Sequence, residues 1–202
     1  IYRIIDFTLS NCINSDVRRI IILTQYQALE LIRHLRDGWT ILSPELGEYI
    51  EVIPPMKRVR TDWYLGTADA VFQNLQSIVV ENPQHTLILS ADHIYKMNYH
   101  EMIEWHREHR ADITLATIQV PPEEAVRFGV VEIDSDYCVV GFEEKPAHSS
   151  PARSAFNPAM ISASMGVYLF NTPVLLKALT EDAADAASSH DFGRDVLPKC
   201  IH

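Results

Sequence analysis

Positive charge is scarce in this chain: 17 Lys and Arg stand against 27 Asp and Glu, for a formal net charge of −10. Binding along a nucleic-acid backbone relies on dense Lys and Arg, so the composition argues against nucleic-acid partners, although a few local cations suffice for a small anionic ligand. Cysteine is sparse too. Cys12, Cys138 and Cys200 are odd in number and far apart, which gives neither a paired zinc motif nor a disulfide framework, and a reducing cytoplasm is the compartment that fits. No apolar run approaches the roughly 20 residues that span a bilayer, so no membrane role is expected. The first residues lack a signal-peptide pattern, and no internal repeat is visible. Because Ile1 stands where Met would, the chain is expected to be a piece of a longer protein. What is present is ordinary globular composition, 47% hydrophobic and 22% charged, in 202 residues that suffice for one substantial domain.

Apolar spacing sets the order of elements. Ile5, Leu9 and Cys12 share a helical face between Arg3 and Ile13, and Asn14-Ser15-Asp16 ends it with turn chemistry. Residues 19–24 are short, β-branched and apolar, which reads as a buried strand. Leu31, Ile32 and Leu35 then mark an amphipathic helix from Ala28, stopped by Gly38. A strand over residues 48–53 closes at Pro54-Pro55. A helix starting near Thr67 carries Val71, Leu75, Ile78 and Val79 on one face, and it leads into a strand at residues 86–89. A helix over 98–109 and a strand over 113–118 continue the alternation. Such alternation predicts an α/β fold with a mostly parallel central sheet and helices on both faces. Beyond Pro121-Pro122 come a hairpin (129–133 with 139–143), a loop (146–163), a strand (165–170), a helix (172–179) and an acidic connector (182–189). Asp191 is placed to cap a last helix ending at Lys199.

Residues able to do chemistry gather at the predicted strand ends. Asp92, with His93 and Lys96, follows the apolar run Leu87-Ile88-Leu89, at the sheet edge where open α/β folds bind ligands; a lone carboxylate there serves equally as a turn or helix cap. Lys57, Arg58 and Arg60 read either as an anion-binding loop or as solvated surface. His106 and His109 are three apart, but Arg107, Glu108 and Arg110 around them favour a solvated helix face over a metal pair. Gly66 removes a Cβ that would block a planar ligand and leaves helix-start amides for an anion, or simply initiates the helix. Gly129 opens a hairpin and needs no ligand to do so. Glu144 beside Lys145 sets an acceptor for sugar hydroxyls next to a point charge for a phosphate, and a surface ion pair is the competing reading.

Seven strings, in order, form a wider pattern: Tyr2-Arg3-Ile4-Ile5-Asp6-Phe7, Leu9-Ser10-Asn11-Cys12-Ile13-Asn14-Ser15, Trp63-Tyr64-Leu65-Gly66-Thr67-Ala68-Asp69-Ala70-Val71, Asp92-His93-Ile94-Tyr95-Lys96-Met97, Phe142-Glu143-Glu144-Lys145-Pro146, Ala163-Ser164-Met165-Gly166-Val167-Tyr168 and Ser189-His190-Asp191-Phe192-Gly193. Together they resemble the glucose-1-phosphate adenylyltransferases, or ADP-glucose pyrophosphorylases, from Tyr2 to about Lys199. That resemblance implies a Rossmann-like nucleotide-diphospho-sugar transferase fold. It also implies an allosteric, cytoplasmic enzyme that makes ADP-glucose and pyrophosphate from ATP and α-D-glucose 1-phosphate for glycogen or starch. It implies that Asp92 holds Mg²⁺ and, with Lys145, is catalytic, and that Gly66 and Thr67 lie near the ATP adenine. Tyr64, Gly129, Glu144, Lys145 and Ser164 would bind glucose 1-phosphate, with Lys145 on its phosphate and Glu144 and Ser164 on its hydroxyls.

By the same resemblance residues 1–202 are an incomplete catalytic domain. Its triphosphate loop would lie upstream of Tyr2, its second metal-binding Asp and β-helix domain would lie downstream of His202, and the whole protein would be a homotetramer or hetero-oligomer. Three departures stand out: Ser90 and Asn98 occupy positions expected as Gly and Asp, and Asp16 one where Gly is commoner. Asn98 is still able to cap a helix. Sister enzymes using UTP or dTTP, and a non-catalytic regulatory subunit, are the alternatives that share these residues.

Overall fold

A computed structural model describes residues 2–25, 28–54, 63–146 and 150–201. The cationic stretch Lys57, Arg58 and Arg60 lies outside the described residues. In chain order the elements are α1 (Ile4–Asn14), β1 (Arg19–Leu23), α2 (Ala28–Gly38), β2 (Tyr49–Ile53), α3 (Thr67–Gln73), α4 (Leu75–Glu81), β3 (His85–Leu89), α5 (Tyr99–Glu108), β4 (Ile113–Val120), β5 (Gly129–Ile133), β6 (Val139–Glu144), β7 (Ile161–Asn171), α6 (Thr172–Ala184) and the single turn α7 (Leu197–Lys199). They form two compact units, one of residues 1–64 with 91–104 and the other of residues 65–90 with 105–202.

In the first unit β1 and β2 pair in parallel, from Arg19 opposite Tyr49 to Leu23 opposite Ile53, as a strand–helix–strand connection through α2 requires. Helix α1 buries Leu9 and Cys12, and its Asp6 ties it to α2 and the residue beyond. That carboxylate accepts from the Arg3 amide (2.7 Å), His34 Nε2 (2.7 Å) and Trp39 Nε1 (2.8 Å). Three donors are what a buried carboxylate needs to offset lost hydration.

The second unit is built on β7. Along one edge β4 pairs with it over nearly its whole length; β3 pairs with its second half, and β5 meets it at Val130 opposite Ala163, with β6 beyond β5. All these pairings are antiparallel. The sequence led us to expect mostly parallel pairing. Strands β3 and β4 do run in the same direction, as a crossover through α5 demands, but β7 is inserted between them and reverses both pairings; among the described residues direct parallel pairing is confined to β1–β2. Helices lie on both faces. On one face, Ile88, Ile113, Leu115, Phe142, Tyr168 and Phe170 pack against α3, α4, α6 and α7 through Val71, Leu75, Leu175, Leu179 and Leu197. On the other face α5 sends His106 to Thr114 Oγ1 (2.8 Å) and Asn171 Oδ1 (3.1 Å). His106 is a satisfied core histidine, 1% exposed, rather than part of the solvated face expected for it.

Three element boundaries differ from the sequence-based expectation. The helix expected from Thr67 through Val79 breaks at Asn74 (φ −112°, ψ 14°), whose amide side chain donates to Ala70 O and so competes with the helical ladder. Strand β7 starts at Ile161 rather than Met165, because β4 is long enough to pair Val120 with Ile161 and Gln119 with Ser162. The buried Ser162 is satisfied by Gln119 Nε2 at 3.0 Å, so its polarity does not end the strand. Asp191 does cap the last helical segment, accepting from the Gly193 and Arg194 amides, but the first turn, Phe192–Val196, is a wide π-type turn.

Candidate active site

Glu144 leaves the end of β6 half-buried, between two glycines. A Cβ on Gly129 would stand 2.8 Å from Glu144 Oε2 and 2.4 Å from the Phe142 ring, and one on Gly193 would stand 2.5 Å from the same oxygen. Neither glycine has a positive φ; both are there to make room for the carboxylate. Lys145 follows in the left-handed region at φ 47°, a costly conformation for a side chain with a Cβ. Its amide donates to Phe128 O at 3.1 Å and its exposed ammonium stands 3.4 Å from Glu144 Oε1. The left-handed turn therefore aims a cation and a carboxylate in fixed relation at the hairpin end.

Across the sheet, Ser164 Oγ lies 3.2 Å from Tyr168 Oη and accepts from the Gly166 amide at 3.3 Å. Burial pushes the Tyr168 phenol up, and the Glu144 and Asp191 carboxylates push it further, while Ser164 opposes them. Tyr168 thus carries a neutral phenol within the field of both acids. This unit consequently brings together Gly129, Glu144, Lys145, Ser164, Tyr168, Asp191 and Gly193: hydroxyls and carboxylates able to hydrogen-bond hydroxyl groups, and one ammonium able to pair with an anion.

Gly66 and Thr67 begin α3 in the same unit. A Cβ on Gly66 would meet His190 O at 2.3 Å and Ser189 O at 2.7 Å, so the glycine is required by the approach of another backbone segment. The helix-start amides are also engaged: Ala68 N and Asp69 N both donate to His190 O, at 2.9 and 3.3 Å, and so do not serve an anion. Thr67 Oγ1 donates to Asp191 Oδ2 and accepts from the Phe192 amide, each at 3.0 Å.

Asp92 and Tyr64 belong to the other unit. Tyr64 is half-buried, directly before Leu65. The Asp92 side chain is 86% exposed, three residues past β3, with His93 Nδ1 at 3.3 Å. The turn that carries it is held from α1: Asn11 Nδ2 donates to Tyr95 O (3.1 Å), the Met97 amide reaches Asn11 Oδ1 (3.4 Å), and the Tyr99 amide donates to Ser15 Oγ (2.8 Å). His93 stacks on Tyr95, ring centroids 4.5 Å apart. Asn98 caps α5, accepting from the His100 amide at 3.1 Å. Among the described residues no group of three His, Cys, Asp or Glu forms a metal cage. A single accessible carboxylate on a pinned turn nevertheless fits Mg²⁺, which keeps several waters and is held by one or two carboxylates plus substrate phosphates.

The family model described as Nucleotidyl transferase matches residues 1–202. The chain belongs to the nucleotidyl transferase family. Among nucleotidyl transferases, it is 58% identical over 202 residues to the glucose-1-phosphate adenylyltransferase of Koribacter versatilis, covering 100% of this chain and 48% of that protein. It is 52% identical over 200 residues to glucose-1-phosphate adenylyltransferase 2 of Vibrio cholerae, with 99% and 49% covered. Against the glucose-1-phosphate adenylyltransferase of Rhodopirellula baltica the identity is 47% over 201 residues, with 99% and 45% covered. The chain spans about half the length of these curated nucleotidyl transferases.

Three residues of the site were missed in the sequence. Tyr168 looked like strand core and Asp191 like a helix cap, and Gly193 lay inside a predicted helix. Asp191 does cap, through Oδ1, while its Oδ2 accepts from Thr67. The signal was the glycine two residues after the cap, poorly suited to a helix interior unless something approaches closely.

Proposed function

We propose that the protein containing this chain is a glucose-1-phosphate adenylyltransferase, joining ATP and α-D-glucose 1-phosphate into ADP-glucose with release of pyrophosphate, on the route to glycogen or starch. The observation that carries this reading is the likeness to glucose-1-phosphate adenylyltransferases 46–58% identical to the chain over nearly all of its length. The polar cluster around Glu144 supports it chemically.

In this reading a phosphate oxygen of the sugar phosphate attacks the α-phosphorus in line, the bond to the β-phosphate breaks, and pyrophosphate leaves. Both reactants are anions, so positioning and charge neutralisation are the main demands. Mg²⁺, held by Asp92, supplies neutralisation and alignment when bound. Lys145 holds the sugar phosphate as a point charge; Glu144 accepts from the glucose hydroxyls, and Ser164 contacts them. Gly129 keeps the space around Glu144 open. Gly66 and Thr67 form the edge of the adenine site, and Tyr64 binds glucose 1-phosphate. A cytoplasmic homotetramer or hetero-oligomer with allosteric control is the assembly proposed for the whole protein. The described residues form no helix long and apolar enough to cross a membrane.

The test is pyrophosphate release by the intact protein from glucose 1-phosphate with ATP, UTP or dTTP, with and without Mg²⁺. We expect ATP to be preferred and Mg²⁺ to be required. Preference for UTP or dTTP would point to a sister enzyme, and no turnover with any nucleotide to a regulatory subunit; either result rejects the proposal.

A further inference from the structure

Asp182 and His190 are buried, 3% and 7% exposed, yet neither is among the residues gathered around Glu144. Asp182 Oδ2 accepts from His190 Nδ1 at 2.8 Å, and its other oxygen accepts from Ser188 Oγ at 2.6 Å. The His190 amide donates to that same serine hydroxyl at 2.9 Å, so both ends of residue 190 are anchored. The backbone there is in the left-handed region, φ 58°, a strained conformation for a residue with a Cβ that persists only where surrounding bonds impose it.

That unusual conformation turns the His190 carbonyl to the start of α3, where it accepts from Ala68 and Asp69. Gly66 leaves room for the carbonyl to come this close. The next residue, Asp191, meets the start of α3 as well: its Oδ2 takes the Thr67 hydroxyl, and the carboxylate bears on Tyr168. One buried pair therefore fixes a two-residue backbone segment whose first carbonyl sets the Gly66–Thr67 loop and whose second side chain stands, like Glu144, against Gly193.

We propose that Asp182 and His190 are positioning residues, a latch that holds the nucleotide-side loop at Gly66–Thr67 in fixed register with the sugar-side carboxylates, so that the two substrates are seated at a set spacing. The assignment of the two sides rests on the proposed adenylyltransferase activity; the latch itself rests on the contacts above.

The test compares His190→Asn, His190→Gly and Asp182→Asn in the intact protein. Asparagine tolerates the left-handed conformation and places an amide N–H near the position of Nδ1, whereas glycine keeps the conformation but loses the bond to Asp182. The first readout is hydrogen exchange at the Ala68 and Asp69 amides. We expect H190G and D182N to exchange about tenfold faster than wild type, the scale of one hydrogen bond to a charged group, and H190N to stay near wild type. The second readout is steady-state kinetics with Mg²⁺. In H190G and D182N the KM values for ATP and glucose 1-phosphate should rise together, by about tenfold, with kcat changing less.

Unchanged exchange in H190G and D182N overturns the latch, as does no recovery in H190N. A rise confined to one substrate overturns the coupling of the two sides, and so does a lowered Tm with both KM values unaltered. Failure of the wild-type protein to use ATP and glucose 1-phosphate rejects the proposed activity instead, and the exchange comparison still decides the latch.

Discussion

Substituting alanine for Gly66 places a methyl group where backbone already stands. The added Cβ would lie 2.3 Å from His190 O, 2.7 Å from His190 C and 2.7 Å from Ser189 O, so no side chain can swing aside to relieve it. The segment must retreat by on the order of 1 Å, an overpacking that costs about 1–3 kcal/mol. Retreat also stretches the bonds from Ala68 N and Asp69 N to His190 O, worth about 1 kcal/mol each. Against this, alanine restricts the unfolded chain and returns about 0.4–1 kcal/mol. The balance is a loss of about 2–4 kcal/mol. Gly38 provides the control: at the end of α2 its added Cβ meets nothing within 4 Å and its φ is not positive, so Gly38→Ala should stabilise by about 0.4–1 kcal/mol. Urea unfolding of the two variants and wild type, at matched m-values, measures both changes. A Gly66→Ala protein as stable as Gly38→Ala would refute the claim that close backbone approach explains this glycine.

Other perturbations test other parts of the molecule. Asp92→Ala should lower kcat for pyrophosphate release by about two orders of magnitude or more, on the scale of losing a charge-stabilising group; activity near wild type would reject its metal role. Lys145→Ala and Lys145→Gly should raise the KM for glucose 1-phosphate alike, but the glycine variant should be more stable by about 1 kcal/mol because φ 47° suits it; equal thermal stability would argue against strain there. At Asp6, burial by itself raises the carboxyl, and hydrogen bonds from Arg3 N–H, His34 and Trp39 outweigh it, holding the group below the ordinary carboxylate value. The stability this contributes is fully present above the ordinary value, near 3.9, and is lost as pH falls through the lower folded value. The Tm gap between wild type and Asp6→Ala should therefore be wide at pH 5–7 and narrow below about pH 3.8; a gap that widens on acidification contradicts the assignment.

The sequence made local features legible where one residue type answered one local demand. Asp16 stands where glycine is commoner, and its φ of 62° confirms that the position asks for left-handed backbone; the side chain meets Arg18 Nε at 3.0 Å. Asn98 and Asp191 cap as their types foretell. The helical periodicity of α1, α2 and α5 also survived folding, as did the apolar runs of β1 and β3. What the sequence could not disclose depended on partners far along the chain. Ser162 and Ala163 read as loop because their composition is small and polar, yet β4 supplies both a ladder and the Gln119 hydrogen bond. The insertion of β7 between β3 and β4 has no local signature at all, so direction was legible and adjacency was not. Gly66 reads in the sequence as room for a planar ligand or as a helix start, and the backbone of residue 190 that stands against it lies too far along the chain to be foreseen. Tyr168 reads as core, because an aromatic in an apolar strand gives no sign of the acids whose charge reaches it.

Strand β7 carries a consequence for how the chain is made. Among the described residues, 85–89 and 113–120 find their ladder partners in residues 161–171, so these bonds cannot form while the intervening chain is still being synthesised. Pairings of such long sequence separation are slow to close, and the waiting strands present open edges and apolar side chains meanwhile. The joining of β3 and β4 through β7 is therefore a late event on the ribosome, set off by the emergence of one strand. Substitutions within β7 should consequently reduce yield of folded protein more than their effect on the finished structure alone would imply.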